Sequence, residues 1–191
     1  MNVAEFLSLY ADRDDRVELL DGVPVALPVH TARISRIGMN VTTQIHRRLE
    51  GRGCQVFGES LYLRIDDQNL LAPDAAIYCN RAELGGPDDV YFFCKPSVIF
   101  VILTPHEGGR EATRRAKFQA IESVYTIVVI DPAVKTFIQY QRDPDGWSVA
   151  EKPYGSALEL QHPAITLEAN EMFRHTGPRT QIDAHATKGV N

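Results

Sequence analysis

Two apolar segments in the middle of the chain constrain the fold more than any other feature. Val98–Leu103 reads Val-Ile-Phe-Val-Ile-Leu and has no polar position on either face. Such a strand is typical of the centre of a sheet that is covered on both sides, because both of its alternating faces are buried. The earlier segment, Leu70–Tyr78, is also read as a strand and carries one carboxylate, Asp74. The two segments predict a buried sheet with an acid on one of its strands.

Helical and strand patterns surround these two segments. Asp21-Gly22 lies between two short apolar runs and predicts a hairpin turn. A helix predicted at Arg110–Ile121 connects Val98–Leu103 to another buried strand at Thr126–Ile130, and a helical connection favours a parallel strand pair. A long helix is predicted by an apolar stripe with helical spacing, made up of Ile34, Ile37, Val41, Ile45 and Leu49. The fold class expected is mixed α/β (α+β), a mixed β-sheet flanked by helices.

Length and composition fit one domain. The chain has 191 residues, of which 44% are hydrophobic and 24% charged, a balance typical of globular proteins. We predict a domain over residues 1–173 and a polar C-terminal tail over residues 174–191, which contains few large apolar side chains.

Charge, cysteines and the N-terminus limit the class of protein. The net charge of −5 argues against a strong general DNA binder, although a local basic groove remains compatible with it. No apolar run has the length of a membrane helix, and the N-terminus lacks the pattern of a signal peptide. Cys54, Cys79 and Cys94 lack the spacing of a zinc site and are interpreted as free thiols. The expected location is the cytoplasm, with no membrane partner.

Asp74 and Glu18 are the first candidates for chemistry. Each carboxylate lies among apolar neighbours, where burial is costly unless the charge is paired or binds a metal. Together they could share one cation. The alternative for Asp74 is a solvated strand edge, and the alternative for Glu18 is the polar face of an exposed hairpin.

Basic side chains and one histidine complete the candidates. Arg110 and Arg114 are four residues apart and share a helix face, where they could hold a phosphate, and Lys117 follows about one turn later. A solvated helix face is the ordinary alternative for such a run. His30, just before the long helix, could act as a base or a metal ligand, although a lone histidine is more often neither.

Several motifs, in order, resemble the Uma-two family of restriction endonucleases, within the PD-(D/E)XK nuclease superfamily. The resemblance runs from about residue 16 to about residue 173. Its pieces are Arg16–Gly22, His30, Val56–Gly58, Pro73-Asp74, Lys95–Pro105 and Ile121–Asp131.

The resemblance implies a Mg²⁺-dependent phosphodiesterase site. Its residues fall on Glu18 and Asp74 as metal-binding carboxylates, on position 101 and on position 114. Here two positions depart, because Val101 stands where the family has glutamate and Arg114 where it usually has lysine. Valine offers no oxygen to a hard cation, and arginine stays protonated and cannot take a proton from water.

Three hypotheses follow from these departures. The first is a Uma-two type protein that acts on DNA with weak or lost cleavage, with Glu18, Asp74, Arg114 and Lys117 as its catalytic residues and Mg²⁺ held weakly by Glu18 and Asp74. The second is a catalytically silent homologue that serves as a binding or assembly module. The third is an active Mg²⁺ nuclease that uses Lys117. A homodimer is suggested by the nuclease class, since cutting two strands commonly uses two sites.

Overall fold

A computed structural model describes residues 1–13, 15–105 and 109–177. The helices are α1 (Val3–Tyr10), α2 (Ala32–Leu49), α3 (Arg81–Leu84), α4 (Arg110–Ala120) and α5 (Ala169–Met172). The strands are β1 (Val17–Leu20), β2 (Val23–Ala26), β3 (Gln55–Gly58), β4 (Tyr62–Arg64), β5 (Leu70–Leu71), β6 (Ala75–Tyr78), β7 (Phe92–Phe93), β8 (Pro96–Ile102), β9 (Thr126–Asp131), β10 (Thr136–Asp143), β11 (Gly146–Lys152), β12 (Ala157–Gln161) and β13 (Ala164–Glu168).

The long helix α2 forms as its apolar stripe predicts. Thr31 caps its first turn, since its hydroxyl accepts a hydrogen bond from the backbone N–H of Ile34 at 3.4 Å. All five stripe residues are buried, and they pack with Val98, Phe100 and Ile102 of β8. The helix therefore covers one face of the central strand.

The larger sheet has six strands in the order β11-β10-β9-β8-β6-β3. β8 and β9 are parallel, as their helical connection through α4 predicts, and the other neighbours are antiparallel. Ile99 and Val101 point away from α2 and pack with Phe118 of α4. The central strand is thus buried on both faces, and the mixed sheet flanked by helices is confirmed.

A second sheet of five strands, in the order β2-β1-β5-β4-β7, packs beside α4. Leu63 and Leu71 from this sheet join the apolar cluster around Val101 and Phe118. Its opposite face contacts α1 through Val3 and Phe6.

The predicted strand Leu70–Tyr78 is wrong as a single element. Leu70–Leu71 belongs to the five-stranded sheet and Ala75–Tyr78 to the six-stranded sheet. Pro73 lies between them and has no N–H with which to continue a ladder. The chain therefore changes sheets at the Pro73-Asp74 motif.

The C-terminal part of the chain returns to α2. The antiparallel hairpin β12–β13, which the sequence reading did not include, buries Leu158, Leu160, Ile165 and Leu167 against that helix. Beyond α5, the backbone carbonyl of His175 accepts a hydrogen bond from Arg36 at 2.7 Å, and that of Gly177 accepts one from Arg33 at 2.8 Å. The first residues of the predicted tail are therefore bound to α2, and residues 178–191 lie outside the described residues.

The interpretation of all three cysteines as free thiols is wrong for two of them. Cys54 and Cys79 form a disulfide between the start of β3 and the end of β6, and Cys94 is free. The two residues flank the pair Gln55 and Tyr78 in neighbouring strands, which brings their Cα atoms to 4.2 Å. Pairing across a ladder cannot be read from sequence spacing, because it depends on strand register.

The helices within residues 1–13, 15–105 and 109–177 include none that is long and apolar enough to cross a membrane.

Candidate functional site

Glu18 and Arg114 form an ion pair in the interior. Glu18 lies in β1 with no exposed surface, and Arg114 on α4 is 3% exposed. The Nε atom of Arg114 lies 3.3 Å from Oε1 of Glu18. Arg114 therefore does not lie on a solvated helix face. Glu18 does not lie on the exposed face of the β1–β2 hairpin.

The peptide group of Ala72 completes this arrangement. Arg114 Nη2 donates a hydrogen bond to the carbonyl of Ala72 at 2.9 Å, while the N–H of Ala72 faces Glu18 Oε2 at 3.4 Å. Ala72 immediately precedes the Pro73-Asp74 motif. The ion pair thus holds the backbone from which Asp74 projects.

Asp74 is fixed against the central strand. Its N–H donates to the carbonyl of Phe100 at 3.1 Å, and its Oδ2 accepts a hydrogen bond from the N–H of Ile102 at 2.7 Å. The side chain is 10% exposed. Asp74, just before β6, therefore lies beside Val101 of β8.

Val101 itself lies in an apolar environment. It is 2% exposed and packs in a cluster that contains Leu63, Leu71, Phe118 and Val129. The apolar side chains of this cluster pack against it, and Asp74 lies beside it across the strand pair. A carboxylate at position 101 would meet these side chains.

His30 lies between Asp74 and a residue that the sequence reading did not single out, Glu59. Its Nε2 is 3.5 Å from Asp74 Oδ1, and its Nδ1 is 3.0 Å from Glu59 Oε2. Arg16 contacts both His30 and Glu59. Its Nη1 is 3.2 Å from His30 Nε2, and its Nη2 is 3.1 Å from Glu59 Oε2. Arg16 and Glu59 follow no chemical motif in the sequence, although each lies in or beside a segment that resembles the family.

The contacts of the imidazole suit one neutral tautomer. Arginine has only donors, so a hydrogen bond from Arg16 requires Nε2 of His30 as its acceptor. In that tautomer the proton is on Nδ1, which faces Glu59 Oε2. His30, Glu59 and Asp74 each bring one potential ligand atom within 4.8 Å of the others, so this group could hold a divalent metal ion.

Two cavities adjoin these residues. The larger, of about 480 Å³, lies between α2 and the turn after β3, and His30, Glu59 and Asp74 are part of its wall. The smaller, of about 10 Å³, is bordered by Asp74, Arg114 and Arg16 among others. Asp74 thus contributes to both cavities.

Lys117 is engaged elsewhere. Its ammonium group forms an ion pair with Asp21, in the turn between β1 and β2. Arg110, the other basic residue predicted on this helix, donates to the carbonyl of Ala26 at 3.3 Å. The structure therefore brings Glu18, Asp74 and Arg114 into one neighbourhood and ties Lys117 to the hairpin turn.

Tyr62 lies near the same charges. Burial raises the pKa of its hydroxyl, the guanidinium of Arg16 lowers it, and the carboxylate of Glu18 raises it, with a net increase. The hydroxyl donates a hydrogen bond to the carbonyl of Val17 at 2.7 Å. It therefore acts as a neutral donor in this region.

Comparison with known proteins identifies relatives of this fold. A family model, Uma2, described as "Putative restriction endonuclease", matches residues 3–170. The crystal structure of a putative nuclease belonging to DUF820 from Anabaena variabilis is similar with a TM-score of 0.74 and 17% sequence identity, over 91% of this chain and 97% of that chain. Among curated proteins, none matches.

Proposed function

Because this chain belongs to the Uma2 family of putative restriction endonucleases, we propose that it is a PD-(D/E)XK-type protein whose Mg²⁺-dependent cleavage of DNA is weak or lost. The observation that carries this proposal is the environment of Val101. Val101 offers no oxygen and packs in an apolar cluster, and by the resemblance of the motifs it stands where the family has glutamate. We infer from this that a third oxygen ligand is missing.

The two carboxylates proposed to hold Mg²⁺ fit that ion poorly. Mg²⁺ requires near-octahedral oxygen ligands. Glu18 already has the Arg114 guanidinium at 3.3 Å, and one oxygen of Asp74 accepts from Ile102 at 2.7 Å. A cation at Glu18 would also be repelled by Arg114. We therefore propose that Glu18 and Asp74 hold Mg²⁺ weakly, and we derive no catalytic step through it.

The proposed roles of the basic residues are limited in the same way. Arg114 stays protonated, so it cannot activate water as a lysine could. Lys117 would first have to leave its ion pair with Asp21. These contacts support reduced cleavage over a fully active nuclease that uses Lys117.

A specific observation favours the second hypothesis, a catalytically silent homologue that serves as a binding or assembly module. The buried pair of Glu18 and Arg114 neutralises the interior charge with the chain's own residues. The fold then needs no metal ion at this point. DNA as a partner, and a homodimer, remain part of the proposal.

A cytoplasmic location also belongs to the proposal, and the disulfide provides a test of it. Disulfides are rare in a reducing cytoplasm. If the protein is cytoplasmic, trapping of thiols in intact cells followed by mass spectrometry should find Cys54 and Cys79 reduced. Recovery of the Cys54–Cys79 bond from rapidly quenched cells would contradict that location.

The test of the function is metal-dependent cleavage. Supercoiled plasmid and single-stranded DNA are incubated with Mg²⁺ and the wild-type protein, with Asp74→Ala as the matched control. We expect wild-type cleavage close to that of the control. Strong cleavage that Asp74→Ala removes would show an active nuclease and overturn the proposal.

A restoring variant adds a second arm to this test. Val101→Glu combined with Arg114→Lys returns both family residues, and each protein's fold is checked by circular dichroism. If the two departures are the cause of lost cleavage, the folded double variant should nick plasmid DNA faster than wild type.

A further inference from the structure

We propose that His30 and Asp74 bind a divalent transition-metal ion of the zinc and cobalt class, with Glu59 orienting the histidine. This site shares Asp74 with the Glu18 and Asp74 oxygen pair considered for Mg²⁺, and it differs from that pair because its other ligand is an imidazole nitrogen. Mixed nitrogen and oxygen ligands favour zinc and related ions over magnesium. The site does not depend on cleavage of DNA.

The distance between the two ligand atoms suits such an ion. His30 Nε2 and Asp74 Oδ1 are 3.5 Å apart. Two ligands with bonds of about 2.1 Å at a tetrahedral angle are about 3.4 Å apart. Only small side-chain adjustments are therefore needed to seat one ion between them.

The geometry around the ring suits a metal ligand. Nε2 lies 3.5 Å from Asp74 Oδ1, and Nδ1 lies 3.0 Å from Glu59 Oε2. A carboxylate on the second ring nitrogen is the usual partner of a metal-bound histidine, because it fixes the ring and raises its basicity. Glu59 has this role in the proposed site.

In the absence of a metal ion, the guanidinium of Arg16 is the cation beside His30 and Glu59. Its guanidinium lies 3.2 Å from His30 Nε2 and 3.1 Å from Glu59 Oε2. Its side chain is 31% exposed, so it can turn towards solvent. A dication in its place would offset the two negative charges of Asp74 and Glu59 more completely than one guanidinium does.

Asp74 is held by a backbone hydrogen bond, and the site adjoins a cavity. The second oxygen of Asp74 is fixed by the N–H of Ile102 at 2.7 Å, which orients Oδ1 towards His30. The cavity of about 480 Å³ beside these residues gives an ion a route in and leaves room for the waters that would complete its coordination.

The experiment uses Co²⁺ as a visible probe and Zn²⁺ as its competitor. Full-length protein is titrated with Co²⁺ while its absorption is recorded, and Zn²⁺ binding is measured by calorimetry. We expect one ion per chain. His30→Gln and Asp74→Asn should each remove this binding, while His46→Gln, an exposed histidine of α2, should leave it unchanged.

Two further variants separate a metal site from an ordinary network of ion pairs. Glu59→Gln should weaken binding by about 10- to 100-fold, since it loosens the ring. Arg16→Gln should tighten binding, because it removes the competing cation. These opposite responses decide the question even if His30→Gln or Asp74→Asn fails to fold.

The proposal is overturned if wild type binds Co²⁺ no more tightly than folded His30→Gln. It is equally overturned if Glu59→Gln and Arg16→Gln both leave affinity unchanged. These outcomes are independent of the plasmid assay with Mg²⁺, because a chain without cleavage can hold or lack this ion. Failure of the metal site and failure of the proposed function are therefore distinguishable.

Discussion

At the scale of single residues, the pair of Glu18 and Arg114 determines how this neighbourhood responds to substitution. Both side chains are almost fully buried, so each charge depends on the other. Removing one partner of a buried pair leaves the other charge uncompensated, which costs far more than exchanging both for apolar side chains.

We predict that Arg114→Met lowers the free energy of unfolding by about 3–5 kcal/mol. Glu18 would then be charged, buried and without its cation. The double variant Glu18→Met with Arg114→Met should recover most of that loss. Urea denaturation of the three proteins measures this, and equal stability of the single and double variants would show that the charges are not coupled.

Val101 gives the second prediction at this scale. Val101→Glu should lower the free energy of unfolding by several kcal/mol, about 3 or more, because its carboxylate would meet the apolar cluster of Leu63, Leu71 and Phe118. Val101→Gln is the control of equal size without charge and should cost less. A Val101→Glu protein as stable as wild type in urea would mean that position 101 is open to an ion or to water.

The sequence was sufficient for part of this neighbourhood. Motif order indicated that Glu18, Asp74 and position 114 belong together, and the structure brings them into one region. The sequence could not indicate the Glu18–Arg114 ion pair, because that contact depends on how α4 packs across two sheets. Glu59 and Arg16 were missed for the same reason, since their contacts with His30 depend on tertiary packing.

At the scale of elements, two turns hold the five-stranded sheet together. Asn69, 3% exposed, accepts a hydrogen bond from the N–H of Asp21 in the β1–β2 turn at 2.9 Å. Its side-chain amide donates to both carboxylate oxygens of Asp66 at 2.9 Å. The turn after β4 therefore supports the hairpin turn that also holds Lys117.

Asp66 makes this support depend on pH. Partial burial opposes its ionisation, but hydrogen bonds from the Asn69 side chain and the Gln68 N–H outweigh burial and hold its pKa below the ordinary value. A lowered pKa adds stability above the unfolded-state value of about 3.9, and that stability is lost as pH falls through the folded-state pKa.

We therefore predict that Asp66→Asn is less stable than wild type at pH 7, by less than about 1 kcal/mol since the carboxyl is exposed. The difference should shrink below about pH 4 and disappear in stronger acid. Thermal unfolding of both proteins from pH 7 to pH 3 measures it. A constant difference across this range would rule out the charge as its cause.

The disulfide fixes strand β3 to strand β6. Replacing both Cys54 and Cys79 with serine should lower the free energy of unfolding by about 2–4 kcal/mol, because the unfolded chain regains the freedom of a 25-residue span. Denaturation of wild type with and without reductant should reproduce this loss. If the reductant changes nothing while mass spectrometry confirms reduction, the bond does not stabilise the fold.

The elements were predictable where burial repeats along the chain. The stripe of α2 and the apolar strands β8 and β9 were predicted correctly because their buried positions follow a regular pattern. Buried residues recur at helical spacing in α2, and nearly all positions of β8 and β9 are buried. The β12–β13 hairpin has a similar alternation, with Leu158 and Leu160 buried between exposed neighbours, but its His162-Pro163 turn is not a common hairpin signal. The change of sheet at Pro73 needs the tertiary pairing and has no local pattern.

At the scale of the whole molecule, α2 binds the last residues that the structure describes. Arg33, Arg36 and Asn40 of this helix donate to backbone carbonyls at or after Met172. Thr176 is 7% exposed, and Lys135 donates to its carbonyl at 3.4 Å. Residues beyond the proposed domain boundary at residue 173 are therefore bound to the rest of the protein as far as Gly177.

Truncation tests this boundary. Deletion of residues 178–191 should leave the melting temperature unchanged, because this segment is polar by sequence. Deletion of residues 175–191 should cost about 1–2 kcal/mol, or several degrees, since it removes the bonds to Arg36 and Arg33. Equal melting temperatures for the two truncated proteins would place the boundary before His175.

The change of sheet at Ala72–Asp74 has a consequence for how this protein would behave in a cell. Both members of the Glu18–Arg114 pair bond to Ala72, so they hold the short crossing between the five-stranded and six-stranded sheets. Selection at these two positions would then act on protein abundance, because destabilised chains are removed by proteases. Deleterious substitutions at Glu18 or Arg114 should therefore lower the amount of soluble protein in the cell, whatever their effect on activity.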